Sequence, residues 1–378
     1  MTNEFDLIVV GAGTGGYVAA IRAAQLGLTV AVVERQRALG GTCLLWGCIP
    51  TKTLLEHAHA FSVVQRADQW GVSLGGVTPT LDMAKVQARK DRVVSGLSKG
   101  VEFLFKKHNV RWIKGSARLA GGGAVEVTDG EVQTLQARRE IVLATGSSAR
   151  SIPGVTVDHS RIITSDEAVG LRAVPASIAI LGGGAVGVEF ASIFRQFGSD
   201  VQLIEAQPRL VPGEDEAISA ELEKSFRKQG VTSRLGASVL RASVRDDGVD
   251  LELRTAAGAD EVVHTDLLLV ATGRGPVTQG LDAERAGVIL ERGYVKVDRQ
   301  YQTSVPGISA VGDVITFGTG PHPQLAHVSS AEGVFVAERV AGRQPEPLNY
   351  DRIPACTYCT PEIGRVGLTE RDAKARGL

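Results

Sequence analysis

The chain has 378 residues, 43% of them hydrophobic, with 41 Lys plus Arg balanced against 42 Asp plus Glu. That length suits two or three domains of about 100–200 residues each, and the charge balance leaves no basic stripe for nucleic acid and no acidic tail. No apolar run reaches the roughly 18 residues that would cross a membrane, and four Cys without a basic-then-apolar leader predict the cytoplasm, where a disulfide is more often catalytic than structural.

The chain enters an apolar strand at residues 5–10 and runs into Gly11, Gly13 and Gly16; a second strand ends at Glu34. Strand, Gly-x-Gly-x-x-Gly, helix and a later acid form the pattern of a dinucleotide site. The glycines permit a tight turn and close approach to pyrophosphate, and the acid receives ribose hydroxyls. Directly after it comes Gly-Gly-Thr-Cys-Leu-Leu-Trp-Gly-Cys-Ile-Pro-Thr-Lys, residues 40–52. A nucleotide site feeding into Cys43 and Cys48 implies electrons moving between a bound cofactor and a disulfide. On a regular helix the two Cα atoms would lie roughly 8.7 Å apart, whereas a disulfide needs about 4.4–6.8 Å. The backbone between them must therefore be irregular, and Gly47 tolerates a bend. Pro50 suits the first turn of a helix continued by Thr51, Leu54, Leu55 and Ala58, whose dipole favours a thiolate at its start. Two buried, unpaired cysteines are the plainer alternative.

Residues 82–107 predict a long helix with Met83, Val86, Val93, Val94, Leu97, Val101 and Leu104 on its apolar positions. The run at 141–146 reads as a buried strand ending at Thr145 and Gly146, near the nucleotide, and residues 147–154 as a linker. The pattern then repeats: a strand at 178–181, Gly182, Gly184 and Gly187, a helix through Phe194, and a strand ending at Glu205. Glu34 and Glu205 each lie 23 positions after the first Gly of their motif (11 to 34, 182 to 205). One such motif is weak evidence; two with equal spacing are strong. A second apolar run, 267–273, closes this half at Gly273, after short strands across 231–265. A third block begins with a strand at 294–297, passes through Gly312 and Asp313, and continues as a helix over 326–340. Asp313 at a strand end can bind a sugar hydroxyl or cap a turn. Residues 343–347 read as a boundary, and residues 353–378 are too short for a core of their own.

These motifs together resemble the flavoprotein disulfide reductases along the whole chain. Leu210-Val211-Pro212-Gly213-Glu214-Asp215, Ile353-Pro354, Thr360-Pro361-Glu362 and Val366-Gly367-Leu368-Thr369 are similar to the lipoamide branch of that family. The resemblance implies an α/β fold with two Rossmann-like dinucleotide-binding domains, for FAD and NAD, the FAD domain discontinuous, and the start of an α+β interface domain. It implies an FAD domain at 1–150 with the redox disulfide, an NAD domain at 151–273, a second FAD-domain part at 274–345, and the start of a dimerisation domain at 346–378. Cys43 is then the thiol that exchanges with substrate and Cys48 the one against the flavin. Lys52 faces the flavin and pairs with Glu189, while Gly312 and Asp313 contact the ribityl chain. The implied activity is oxidation of dihydrolipoamide, or of a lipoyl-carrying protein of 2-oxoacid dehydrogenase complexes, in a homodimer. Glu205 favours NAD over NADP, because its charge repels a 2′-phosphate.

Three departures stand against the family. Leu45 replaces an asparagine usual between the cysteines. The segment 315–323 is longer than usual, with Val328 in place of a lysine. The family also continues past the position of Leu378 into an interface domain whose His-Pro motif supplies an acid/base; His322-Pro323 lies too early and reads as a chance match. On these grounds a cofactor-binding chain without turnover stays open, as does a relative such as mercuric reductase. Cys356 and Cys359 have C-x-x-C spacing, and their expected role is packing rather than metal binding.

Overall fold

The computed structural model describes residues 3–129, 132–319 and 322–378. The chain divides into two compact units, one built from residues 1–45, 94–148 and 274–350, the other from 46–93, 149–273 and 351–378.

The first unit is organised on parallel strands in the order Arg111–Lys114, Val30–Glu34, Glu4–Val10, Gln133–Leu143, with Ile308–Ala310 on the far side of the last. Leu7, Ile8 and Val9 are fully buried, as expected of a parallel strand covered on both faces, and so are Val142 and Leu143 beside them. Helix Thr14–Gln25 follows the first strand and packs along helix Ala326–Val340. The approach is close enough that a Cβ on Gly333 would lie 2.4 Å from the carbonyl oxygen of Gly15.

An antiparallel ribbon, Ala117–Gly121 with Ala124–Val127, extends this sheet along the first residues of Gln133–Leu143. Sequence gives little sign of it, because the strands are short and glycine-broken and only Leu119, Val125, Val127 and Leu135 turn inward.

The second unit repeats the arrangement. Its parallel strands run Val231–Leu235, Asp200–Glu205, Ser177–Leu181, Leu267–Val270, Ile162–Thr164. Of the short strands expected across 231–265, the first, Val231–Leu235, thus joins the parallel sheet, and the others, across 238–265, form a separate three-stranded antiparallel sheet. Helix Cys48–Gln65 packs on helix Ala185–Phe197. Leu54, Leu55 and Ala58 of the former share a core with Phe190 and Phe194 of the latter, and Cys359 and Ile363 complete it. The last residues, too few for a core of their own, thus add Cys359 and Ile363 to this one, while Tyr358, Val366 and Leu378 stay exposed.

The long helix is present as Met83–Lys107, but its apolar positions are not all covered: Val86 and Val101 are buried, whereas Val93 and Leu97 are exposed. Residues 147–149, read as linker, form a short strand. Among the described residues no helix is long and apolar enough to cross a membrane.

Candidate functional site

The first glycine turn is shaped by steric exclusion. Gly11 has φ +101°, and a Cβ there would sit 2.4 Å from the Ala144 carbonyl oxygen; a Cβ on Gly16 would sit 1.9 Å from Gly11 O. Strand end and helix start therefore close on each other as only glycine allows. Gly13 is the N-cap of Thr14–Gln25, with no side-chain cap and no acid in the first turn. The first backbone N–H groups of that helix thus end in a positive dipole with no acid in the helix's own first turn, which suits an anionic pyrophosphate. Glu34, buried, fixes the turn from the neighbouring strand. Its Oε2 accepts the Ala12 N–H at 2.7 Å and its Oε1 the Gln36 N–H at 2.8 Å.

The second turn repeats these contacts. Gly182 has φ +111° with Ala271 O at 2.4 Å from an added Cβ, and Gly187 has Gly182 O at 1.8 Å. Gly184 caps Ala185–Phe197, again with no side-chain cap and no acid in the first turn. Glu205 accepts the Gly183 N–H at 2.6 Å and the Gln207 N–H at 2.7 Å. Gly273, with φ +112°, ends the adjoining strand run, as Gly146, with φ +71°, does in the first unit, where the Thr145 hydroxyl donates to Val277 O at 2.6 Å.

The thiol segment begins against the first turn. Gly40 donates to Ala12 O at 3.0 Å, and a Cβ on Gly41 would lie 2.5 Å from the Gly13 Cα. Cys43 sits on the short helix Gly41–Leu45 and Cys48 opens the 18-residue helix Cys48–Gln65, both half-buried. The helices break at Trp46 and Gly47, the irregularity that the five-residue spacing demands. Pro50 lies in the first turn, where its missing N–H leaves no helix bond unmade; the Thr51 hydroxyl donates to Gly47 O at 2.6 Å.

One turn after Cys48, Lys52 Nζ lies 2.7 and 2.8 Å from the two carboxylate oxygens of Glu189, 137 positions away in sequence. Glu189 is buried and also accepts the Tyr358 N–H at 2.9 Å, while the ammonium lies 5.0 Å from the centre of the Tyr358 ring. Removing the Lys52 ammonium leaves the buried Glu189 charge uncompensated, at a cost below the roughly 3–5 kcal/mol of a fully buried pair because the lysine side chain is 35% exposed. Close by, Cys359 lies in the core; burial and the Glu189 charge push its thiol up to about 12, and its S–H donates to Pro361 O. Cys356, by contrast, is exposed. The C-x-x-C spacing therefore places one protonated thiol inside and one thiol outside.

Gly312, with φ +79°, turns the chain out of strand Ile308–Ala310 and presents Asp313. The Ser147 hydroxyl donates to Asp313 Oδ2 at 2.6 Å. Arg274 in turn donates to the Ser147 hydroxyl at 2.8 Å and to its carbonyl at 2.7 Å. Burial pushes the Asp313 carboxyl up, and the Ser147 hydroxyl and Arg274 charge pull it partly back. Ser147 and Arg274 were not singled out from sequence. The available signal is position alone, since each follows directly on an Ala-Thr-Gly strand end.

Comparison with known proteins bears on this arrangement. Residues 5–333 match the family model described as pyridine nucleotide-disulphide oxidoreductase. Dihydrolipoyl dehydrogenase 3 of Pseudomonas putida is 44% identical over 378 residues, 99% of this chain and 79% of that protein. Dihydrolipoyl dehydrogenase of Chlorobaculum tepidum is 43% identical over 379 residues, 100% of this chain and 79% of that one. Among solved structures, the HOCl-induced flavoprotein disulfide reductase RclA from Escherichia coli, in its Cu(II) complex, matches with a TM-score of 0.85 at 30% identity, over 100% of this chain and 80% of that chain.

Proposed function

Because the chain belongs to the pyridine nucleotide-disulphide oxidoreductase family, as an FAD- and NAD-dependent disulfide oxidoreductase of the dihydrolipoyl dehydrogenase type, we propose that Cys43 and Cys48 are its redox pair. The first unit's cradle, with Gly11, Gly13, Gly16, Glu34 and Asp313, is assigned to FAD. The second unit's, with Gly182, Gly184, Gly187 and Glu205, is assigned to NAD. The observation that carries this is the occurrence of one cradle geometry twice in a single chain, with the thiol segment leaving the first.

The glycine positions fit a dinucleotide, since a Cβ at Gly16 would already collide with Gly11 O at 1.9 Å and the helix start behind it is uncapped. When bound, FAD supplies the two-electron link between the dithiol and the nicotinamide. A thiolate of the dihydrolipoyl group attacks the Cys43 sulfur of the Cys43–Cys48 disulfide, forming a mixed disulfide and releasing Cys48 as thiolate. The second lipoyl thiol then attacks the lipoyl sulfur of that bond. The cyclic disulfide leaves, Cys43 is freed, and two electrons remain on the protein's sulfurs. The start of helix Cys48–Gln65 stabilises negative charge at Cys48. Glu189 holds the Lys52 ammonium in place one turn further on, and by the family resemblance Lys52 would be the lysine turned to the flavin.

The donor is dihydrolipoamide or a lipoyl-carrying protein of a 2-oxoacid dehydrogenase complex. Assembly as a homodimer and a cytoplasmic location rest on the resemblance and on cysteine usage alone.

The test is a pair of variants in two assays. Cys43→Ser and Cys48→Ser should both lose dihydrolipoamide:NAD turnover while keeping NADH-dependent dye reduction. Wild type should gain a long-wavelength absorbance band on anaerobic two-electron reduction of its disulfide. That band should already be present in Cys43→Ser as isolated, where Cys48 is free and the flavin still oxidised, and be absent from Cys48→Ser in either state. Dihydrolipoamide turnover in either variant removes the pair from the reaction, and a band surviving in Cys48→Ser reverses the two roles.

A further inference from the structure

We propose that His322 is a positioning residue of the flavin site, acting through Glu332 on the turn at Gly312 and Asp313. The inference rests on the reading above, in which that turn receives the ribityl chain of FAD.

Glu332, on helix Ala326–Val340, has no exposed surface. Its Oε2 accepts the Gly312 N–H at 2.7 Å. Its Oε1 accepts the Tyr350 hydroxyl at 2.6 Å and lies 2.7 Å from His322 Nε2. Tyr350 spends its proton on Glu332, so Tyr301, 2.9 Å away, donates to the Tyr350 oxygen. Burial raises both phenols, which keep their protons. His322 is 2% exposed, lies 5.9 Å from the Phe317 ring and 5.8 Å from that of Tyr350, and its Nδ1 has no partner among the described residues. A histidine so enclosed cannot reach a substrate thiol, and among the described residues its one polar contact is Glu332.

A carboxylate cut off from water needs every donor it has, because each lost bond costs the desolvation of a charged group. One of its three donors is the backbone of Gly312, the residue before Asp313. The number and direction of the other two therefore decide how the carboxylate holds that N–H, and through it where the Asp313 carboxylate stands. His322 is one of those two donors. The tyrosine pair and the ring contacts fix its direction.

The test titrates apoprotein with FAD, following flavin fluorescence, alongside the melting temperature of the apoprotein. Asp313→Ala tests the flavin-site assignment itself. His322→Leu removes the donor, His322→Gln restores one, and Tyr350→Phe removes the other side-chain donor with little change of shape. Asp313→Ala and His322→Leu are expected to weaken FAD binding at least about tenfold, Tyr350→Phe about fivefold, and His322→Gln no more than about threefold.

Wild-type affinity in Asp313→Ala overturns the site assignment. Weak binding in Asp313→Ala with wild-type affinity in His322→Leu overturns the role of His322, as does His322→Gln binding as poorly as His322→Leu. If His322→Leu does not fold, as its melting would show, wild-type affinity in Tyr350→Phe overturns it instead.

Discussion

The two nucleotide cradles share a backbone but differ in what surrounds it. In both, a left-handed glycine meets an alanine carbonyl, a second glycine lets the helix close on the strand, and a glutamate 23 positions on holds two N–H groups. In the first, the turn is then built over: Gly15 is buried against Val311 and Ser329, Gly333 presses on its carbonyl, and Glu34 is 7% exposed. In the second, Ala185 and Val186 at the equivalent start of the helix are exposed, and Glu205 is only half-buried. Long-range segments enclose the first cradle and leave the second open. That is the difference expected between a cofactor held through many turnovers and one that must enter and leave, and it is the physical ground for giving FAD to the first and NAD to the second.

The largest effect should come from filling each cradle in turn. Gly16→Ala puts a methyl against Gly11 O and is expected to weaken FAD binding by about 10²-fold, an overpacking cost of roughly 3 kcal/mol. Gly187→Ala makes the same collision in the other cradle. It should leave FAD bound within about twofold and slow NADH reduction of the flavin by a similar 10²-fold. Flavin absorbance of the purified proteins and anaerobic stopped-flow reduction separate the two outcomes. Loss of flavin from Gly187→Ala would break the assignment of one nucleotide to each cradle.

A smaller effect should follow from the acids. Glu205→Ala removes the charge that meets a 2′-phosphate and is expected to shift the NADH to NADPH preference toward NADPH by about tenfold in kcat/KM. Glu34→Ala should leave that ratio unchanged and weaken FAD instead. Arg209, the nearest candidate to welcome a phosphate, is engaged in its own loop, donating to Pro212 O at 2.9 Å and lying 3.4 Å from Glu216. If Glu205→Ala leaves the preference as it was, the discrimination lies elsewhere in the second unit.

Both cradles were legible in sequence because the marks that announce them are local: strand, three glycines, helix and an acid at fixed spacing. The break between Cys43 and Cys48 was legible for the same reason. Lys52 and Glu189 became legible as a pair only through family resemblance, since nothing in either neighbourhood points across 137 positions. What closes the first cradle was not legible at all. Ser147 meets Asp313 across 166 positions and Arg274 meets Ser147 across 127, and neither residue stands out by type or period. His322 was discounted as a chance His-Pro, because its meaning depends on Glu332 facing it from a helix. The exposed Val93 and Leu97 show the converse error, in which apolar spacing at helical period overstated what the helix buries.

The smallest effect is also the one that separates binding from stability in the closed cradle. Burial raises the Asp313 carboxyl above its ordinary value, and Ser147 and Arg274 only partly offset this. An acid raised on folding binds its proton more tightly in the folded chain than in the unfolded one. Its ionisation therefore costs stability at neutral pH, and the cost fades as pH falls through the folded pKa toward the unfolded value near 3.8. Asp313→Asn keeps the acceptor for Ser147 and removes the charge. The apoprotein should then melt about 2 °C higher than wild type at pH 7, with the gap closing as the pH is lowered toward 4. FAD binding should weaken severalfold, because a hydroxyl bonds a carboxylate about twice as strongly as a neutral amide. A wild-type apoprotein that melts above Asp313→Asn at pH 7 would show that Arg274 more than repays the burial of this carboxylate. The closed cradle would then be built for its own stability as much as for its cofactor.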